Sequence, residues 1–359
     1  MICSQFDKAL ESVVAGYAHD QIVVVADEAV MGDELWVSGA WPTLRLHVNE
    51  QDKSLATVQL MWDFFFSQGL TRRGLVIAVG GGVLTDMAGF AAATYKRGID
   101  YVNIPTTLLA MIDASSGGKT GINYHGLKNS IGVFAEPIET IIWPKWLKSL
   151  PSKEMLSGFG EMLKTGLIES TEYRIQNTDR LWDRLFVYDL ETMPIEELTP
   201  LIAQCVAVKE GIVAADPKEE GMRKALNFGH TFGHALEEVS ILSPQGARLF
   251  QNSVFSSQIP HGYAVVYGMI AELYLSVTKL GCPKEPLQQL TQLMLHYYGK
   301  PQCKCSDYDR LIALMQQDKK NEHAGEINCT LIRSIGEPVI NQVISAKEAC
   351  EALDYLFSL

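Results

Sequence analysis

An α/β first half followed by a mainly helical second half is the fold class that this sequence predicts, and three observations predict it. Short β-rich apolar runs alternate with helix-length segments up to about residue 150. Beyond Leu150-Pro151 helical periodicity dominates, and only 328–333 reads as a strand. One apolar run passes directly into Gly80-Gly81-Gly82 and then into a helical pattern, as strands of ligand-binding parallel sheets do.

In order along the chain, 21–26 (QIVVVA), 75–79 (LVIAV) and 101–104 (YVNI) read as buried strands. Between them, 54–66 (SLATVQLMWDFFF) and 86–95 (DMAGFAAATY) read as helices, the rhythm of a parallel sheet with helical crossovers. In the second half, 201–215, 285–297 and 346–356 carry the clearest helical periods. The best boundary is near Pro151, giving domains at 1–150 and 151–359, and the crevice between two such halves is the default place for a site.

The chain has 359 residues, 47% of them hydrophobic and 20% charged, a balance that suits well-cored globular domains. Thirty Lys and Arg against 42 Asp and Glu give a net charge of −12, which argues against nucleic acid or an anionic membrane as main partner. An anionic substrate must therefore meet a local cluster of cations. Charges interrupt the N-terminus before a signal-peptide core can form, and the longest uncharged stretch, 249–271, is too polar to span a membrane. The seven cysteines are scattered without a CxxC pair, as expected of reduced thiols in a cytoplasmic protein.

Glycines at a strand end let the backbone approach a phosphate, and the following helix N-terminus supplies N–H groups and partial positive charge. A tight turn without a ligand fits the bare pattern equally well. The hydroxyl- and glycine-rich stretches Ile104-Pro105-Thr106-Thr107 and Ser115-Ser116-Gly117-Gly118-Lys119, with Asp113 between them, favour the ligand. Further on, Asn227-Phe228-Gly229-His230-Thr231-Phe232-Gly233-His234 sets two imidazoles four residues apart, on one face of a helix. His261 follows, and Glu161 and Lys164 share an earlier helical segment. Two His and one Glu would leave a zinc ion with an open position, as catalytic sites require. Spacing leaves open which of the three histidines is not a ligand. The other five, His19, His47, His125, His296 and His323, read as surface residues.

The motifs GGGVLTDMAGFAAATYKRG, IPTTLLAMIDASSGGKTGIN, LKNSIG, GEMLK, GMRKALNFGHTFGHA, HGYAV and DKK occur in this order. With them, the stretch 24–332 resembles the 3-dehydroquinate synthases of the shikimate pathway, sugar phosphate cyclases that share a fold with metal-dependent glycerol dehydrogenases. The resemblance implies a Rossmann-like NAD-binding α/β domain at 1–150 and a mainly α-helical, metal- and substrate-binding domain at 151–359. NAD would lie against Asp27, Glu50, Lys53, Gly81, Gly82, Val83 and Asp86, with Thr106, Thr107 and Lys128 continuing the contact. Ser149, Leu150 and Glu154 would close it at the domain junction. Zinc, or cobalt in its place, would be held by Glu161, His230 and His261, leaving His234 to move protons. The substrate would meet Asp113, Lys119, Asn129 and Lys164, and also Lys209, Arg223, Asn227 and Lys320, with Lys119, Lys164 and Asn129 taking part in catalysis beside His234. Arg97 matches the arginine that the family reaches across a homodimer interface to the phosphate.

The family's substrate, 3-deoxy-arabino-heptulosonate 7-phosphate, carries a carboxylate and a phosphate. The implied reaction oxidises C5, expels phosphate, reduces C5 again, opens the ring and closes it by an internal aldol step to 3-dehydroquinate. Hydride leaves and returns to one carbon, so NAD is catalytic. Arg223 bears most on substrate choice, because a guanidinium fork suits a carboxylate as a lysine does not. Cyclases of substrates without a carboxylate have no use for it. The competing readings are another sugar phosphate cyclase, or an oxidoreductase of the glycerol dehydrogenase kind. The chain departs from the family pattern at Thr85, Ala29 and Tyr263, and it is longer between His234 and His261, a segment whose composition suits a surface loop.

Overall fold

Continuous apolar runs set the central sheet. The computed structural model describes residues 1–30, 41–115, 117–125, 127–242, 259–301, 307–318, 321, 323 and 325–359. Lys319, Lys320, Cys303, Cys305 and most of the longer segment between His234 and His261 lie outside the described residues. Two units are present: Met1–Pro151 with Pro194–Val206, and Ser152–Met193 with Ala207–Leu359. The stretch Pro194–Val206, expected with the second half, thus packs with the first.

In the first unit, β1 (Ile22–Asp27), β2 (Thr43–Leu46), β3 (Leu75–Gly80), β4 (Asp100–Pro105) and β7 (Glu139–Thr140) form one parallel sheet in the order β2-β1-β3-β4-β7. Strands β1, β3 and β4 are buried almost throughout, which is why β1 and β3 read as apolar runs, while β4 carries the buried Asn103. On one face, Val23, Val25, Val76 and Ala78 pack against Val58, Met61 and Phe65 of α2 (Leu55–Ser67) and Leu84, Met87, Ala88 and Ala91 of α3 (Gly82–Thr94). Phe6 of α1 (Phe6–Val14), stacked on Trp143, lines a small cavity with Leu10 and Trp146 and with Val24, Ile77 and Ile104 of the other face. The strand order reverses between β1 and β3, so the crevice beyond their carboxyl ends is where such a sheet takes a ligand.

The glycine-rich stretch after β4 is not a loop alone. It folds as an antiparallel hairpin, β5 (Lys119–Tyr124) and β6 (Leu127–Phe134), in which Gly121 faces Gly132. All eight residues of β6 are exposed, so no buried-face alternation marks it in the sequence.

The second unit is built around α8 (His261–Leu280), buried on every side over its first three turns. It packs against α4 (Ser152–Ile168), α7 (His230–Leu242), α9 (Glu285–Leu293), α11 (Ala346–Ser358) and strand β8 (Ile327–Ile332). Strand β9 (Pro338–Ile344) pairs with β8 and was not legible, because its residues are mostly half-exposed and include Asn341 and Gln342. The unit also holds α5 (Leu181–Val187) and α10 (Tyr308–Gln317). Helix α6 (Ile195–Ala215) belongs to the first unit up to Val206 and to the second from Ala207. Among the described residues it alone is long and apolar enough to cross a membrane, yet half of its apolar window is buried in protein, as in a core helix.

Main-chain contact sets how the helices of this unit approach. A Cβ on Gly160 of α4 would lie 2.5 Å from the Gly262 carbonyl oxygen of α8, and one on Gly262 would fall on the Ser157 carbonyl. A Cβ on Gly268 of α8 would likewise fall on the carbonyl of Gly229, just before α7. Only glycine permits this approach. Gly160, Gly229 and Gly262 adjoin Glu161, His230 and His261 respectively.

Candidate active site

The glycine contacts deliver three side chains to one point. One ligand atom each from Glu161, His230 and His261 lies within 4.8 Å of the others. Nε2 of His261 is 3.3 Å and Nε2 of His230 3.6 Å from Oε1 of Glu161. Tetrahedral ligands about 2 Å from a shared ion stand roughly 3.4 Å apart, so the spacing fits zinc or an ion of similar size. His230 Nδ1 lies 3.1 Å from the Phe228 carbonyl oxygen, and His261 Nδ1 3.3 Å from Oε2 of the buried Glu237. With each Nδ1 engaged, Nε2 is the nitrogen turned toward Glu161.

Electrostatics agree with a cation site. Both oxygens of Glu161 are buried, and Nζ of the buried Lys164 is 2.5 Å from Oε2. Burial opposes the charge on Glu161, but the charges and N–H groups of Lys164 and His261 override it and hold the carboxyl at about 2. Burial also opposes a charged His261, yet the carboxylates of Glu161 and Glu237 push the imidazole up to about 10. The cluster thus gathers positive charge around two buried carboxylates, which a divalent ion can supply in place of a proton. His234 stands one turn beyond His230, ring centroids 5.1 Å apart, with Nδ1 3.4 Å from Oδ2 of Asp318.

The cationic residues of this unit are held in distinct ways. Arg223 is buried in the turn Met222–Asn227, which packs against α4; its Nη1 donates to the Pro217 carbonyl oxygen at 2.7 Å, and its N–H donates to Asp216. Asn227 donates to Glu219 at 2.9 Å, and Lys209 is buried on α6. Glu154 is exposed in the first turn of α4.

In the first unit, Gly81 caps α3 without a side-chain bond, leaving the first-turn N–H groups beside Val83 at the sheet's switch point. A Cβ on Gly80 would lie 3.3 Å from that of Asp27, and one on Gly81 3.1 Å from Thr107. Thr85, the departure in this turn, bonds back to the carbonyls of Gly81 and Gly82 and is accommodated without disturbing it. Thr106 is buried and donates its N–H to the Gly80 carbonyl. Nζ of the buried Lys53 lies 2.5 Å from Asp86 and 2.6 Å from Oδ1 of Asn129, while Glu50 accepts from Asn123, which in turn accepts the Asn129 N–H. Asn129, assigned above to substrate, therefore sits on a lysine assigned to NAD. Asp113 lies in the turn Ala110–Ala114, Lys119 and Lys128 are exposed on the hairpin, and Arg97 is exposed after α3 with φ of 69°. Ser149 bonds to the Trp146 carbonyl, and Leu150 follows it, half-buried.

Three residues with contacts at these clusters escaped the sequence reading: Asn123, Glu237 and Asp318. Glu237 had a signal, since it shares a helix face with His230 and His234, seven and three residues before it.

Residues 43–157 match the family model for the 3-dehydroquinate synthase N-terminal domain, and 158–321 match that for its C-terminal domain. The chain is 38% identical to a 3-dehydroquinate synthase of Parabacteroides distasonis over 361 aligned residues, covering 99% of this chain and 96% of that one. The chain belongs to the 3-dehydroquinate synthase family. As a 3-dehydroquinate synthase family member it is an enzyme, similar also to the 3-dehydroquinate synthase of Alkaliphilus metalliredigens, at 34% identity over 94% of this chain and 90% of that one. Among solved structures it resembles 2-epi-5-epi-valiolone synthase from Streptomyces hygroscopicus subsp. jinggangensis 5008, with NAD+ and Zn2+ bound, at a TM-score of 0.80 and 26% identity, covering 99% of this chain and 95% of that one.

Proposed function

We propose that this protein works as a 3-dehydroquinate synthase, a carbon–oxygen lyase that turns 3-deoxy-arabino-heptulosonate 7-phosphate into 3-dehydroquinate and phosphate with no net oxidation. The observation that carries the reading is the Glu161, His230 and His261 cluster with buried Lys164 beside it, in a chain matched by both family models. We assign the metal to those three residues and NAD to Asp27, Glu50, Lys53, Gly81, Gly82, Val83, Asp86, Thr106, Thr107 and Lys128, with Ser149, Leu150 and Glu154. When bound, a zinc or cobalt ion polarises adjacent hydroxyls and NAD takes and returns one hydride.

The protein's own groups do the rest. His234 takes the hydroxyl proton, its Nδ1 being steadied by Asp318. Arg223 receives the carboxylate, with Asn227 beside it, while Lys164 and Lys209 offset negative charge on the substrate. Asp113, Lys119, Asn129 and Lys320 complete the substrate contacts carried over from the family. We place the working form as a cytoplasmic homodimer in which exposed Arg97 serves the neighbouring site.

Mixing the pure protein with the heptulosonate phosphate, catalytic NAD+ and Zn2+ tests this. Phosphate release without accumulating NADH is expected; steady NADH build-up would instead make it a dehydrogenase. The likeness to the valiolone synthase favours one second reading, cyclisation of a sugar phosphate lacking the carboxylate. Arg223→Ala separates the two: on the acid substrate KM rises and turnover drops, lowering kcat/KM by about a hundredfold. An unchanged kcat/KM removes Arg223 from substrate choice.

A further inference from the structure

We infer that Glu237 and Glu272 are positioning residues of the metal centre, each carried by one imidazole-bearing helix and each gripping the other. This rests on the metal assignment above. His230 and His261 are the first residues of α7 and α8. A side chain there lacks the support of a preceding helical turn, and the surrounding N–H groups have no partner inside their own helix. The two helices supply what is missing to one another.

Glu272 of α8 reaches the start of α7. Its Oε2 accepts the Gly229 N–H at 2.6 Å and its Oε1 the Thr231 N–H at 3.2 Å, so one carboxylate brackets the residue between them, His230. Glu237 of α7 reaches the start of α8, with Oε2 3.3 Å from Nδ1 of His261. Ser240, one turn further along α7, accepts the Ile259 N–H just before α8 begins. Both carboxylates are buried, where a charge is costly to keep without a partner. Their spacing is helical: Glu237 lies two turns beyond His230, and Glu272 three turns beyond His261.

The exchange has a definite chemical effect. A carboxylate on Nδ1 holds the neutral ring in the tautomer whose Nε2 lone pair is available to a metal, and raises its donor strength. The hold on Gly229 and Thr231 fixes the main chain from which the other imidazole projects. Glu237 acts through His261 and Glu272 through the His230 backbone; neither needs to touch the ion.

Zinc affinity of the full-length protein, measured by competition with a chromophoric chelator after metal stripping, tests the inference. Glu237→Ala is expected to weaken zinc binding about 10- to 100-fold. Glu237→Gln, whose amide oxygen can still accept the Nδ1 proton, should recover part of that loss. Glu272→Gln, left with one acceptor for two N–H groups, should weaken zinc binding about tenfold. The ligand-field bands of the Co2+-loaded variants should shift, while the melting of the metal-free Glu237→Gln protein stays close to that of the parent. A zinc affinity within twofold of the parent in Glu237→Ala or Glu272→Gln overturns the inference, and Glu237→Gln serves if the alanine variant does not fold. His261→Ala tests the parent reading separately. If it keeps zinc, the metal assignment itself falls; if it loses zinc while the glutamate variants do not, only the positioning role falls.

Discussion

The interior of α4 and the surface between α8 and α11 hold lysine–carboxylate pairs of the same length. Lys164 and Glu161 are 2.5 Å apart with side chains 2% and 1% exposed, whereas Lys279 and Glu348, also 2.5 Å apart, are 27% and 32% exposed. Lys53 and Asp86 in the first unit, again at 2.5 Å, fall between them at 5% and 18%. Distance alone therefore says little about role. A surface pair is screened by water and contributes about 0–1 kcal/mol. A buried pair must recover two desolvation costs, so it survives where other groups share the charge. Two imidazoles accompany Glu161, Asn129 accompanies Lys53, and Glu348 belongs to a capping box with Ser345 that starts α11.

The sharpest way to break the comparison is Glu161→Gln. It should remove bound metal and lower turnover by about a thousandfold or more, read from metal content and phosphate release. Retention of both would make the α4 pair structural, like Lys279 and Glu348. Lys164→Met comes next. Without metal it removes the nearest positive charge from a buried carboxylate and should cost about 3–5 kcal/mol in urea unfolding. Added zinc should raise the melting temperature of this variant more than that of the parent, since the ion replaces the missing positive charge. An equal rise in both proteins would contradict that account. Lys53→Met, leaving Asp86 partly solvated, is expected to cost about 1–2 kcal/mol. Lys279→Ala should cost about 0.5 kcal/mol or less near neutral pH.

The surface pair also has a pH signature. Hydrogen bonds from Lys279 and Ser345 hold the Glu348 carboxyl at about 2, below its ordinary 4.5. A lowered folded value means that the contribution is present above about 4.5 and lost as pH falls toward about 2. Acid titration of Lys279→Ala and the parent should therefore converge across that window.

What the sequence made legible follows the same physics. Strands β1 and β3 are apolar because they are buried on both faces, and the glycine turn after β3 needs no tertiary information to be noticed. The hairpin β5–β6 was hidden because its outer strand is exposed throughout and its glycines imitate a loop. At the site, Glu161, His230 and His261 stood out by residue type and motif. Glu272 did not, because a glutamate on a helix is an ordinary surface residue until another helix brings two N–H groups to it. Asn123 was hidden likewise, since its role lies in joining Glu50 to Asn129 across the fold.

The touching backbones of Gly160 and Gly262 carry a lesson for anyone redesigning this pocket. Two of its three arms spring from residues next to a main-chain junction, so their separation has no side-chain cushion to adjust. Retuning the preferred ion by small repacking mutations around the helices should achieve little. Exchanging the donor atoms themselves is the more promising route.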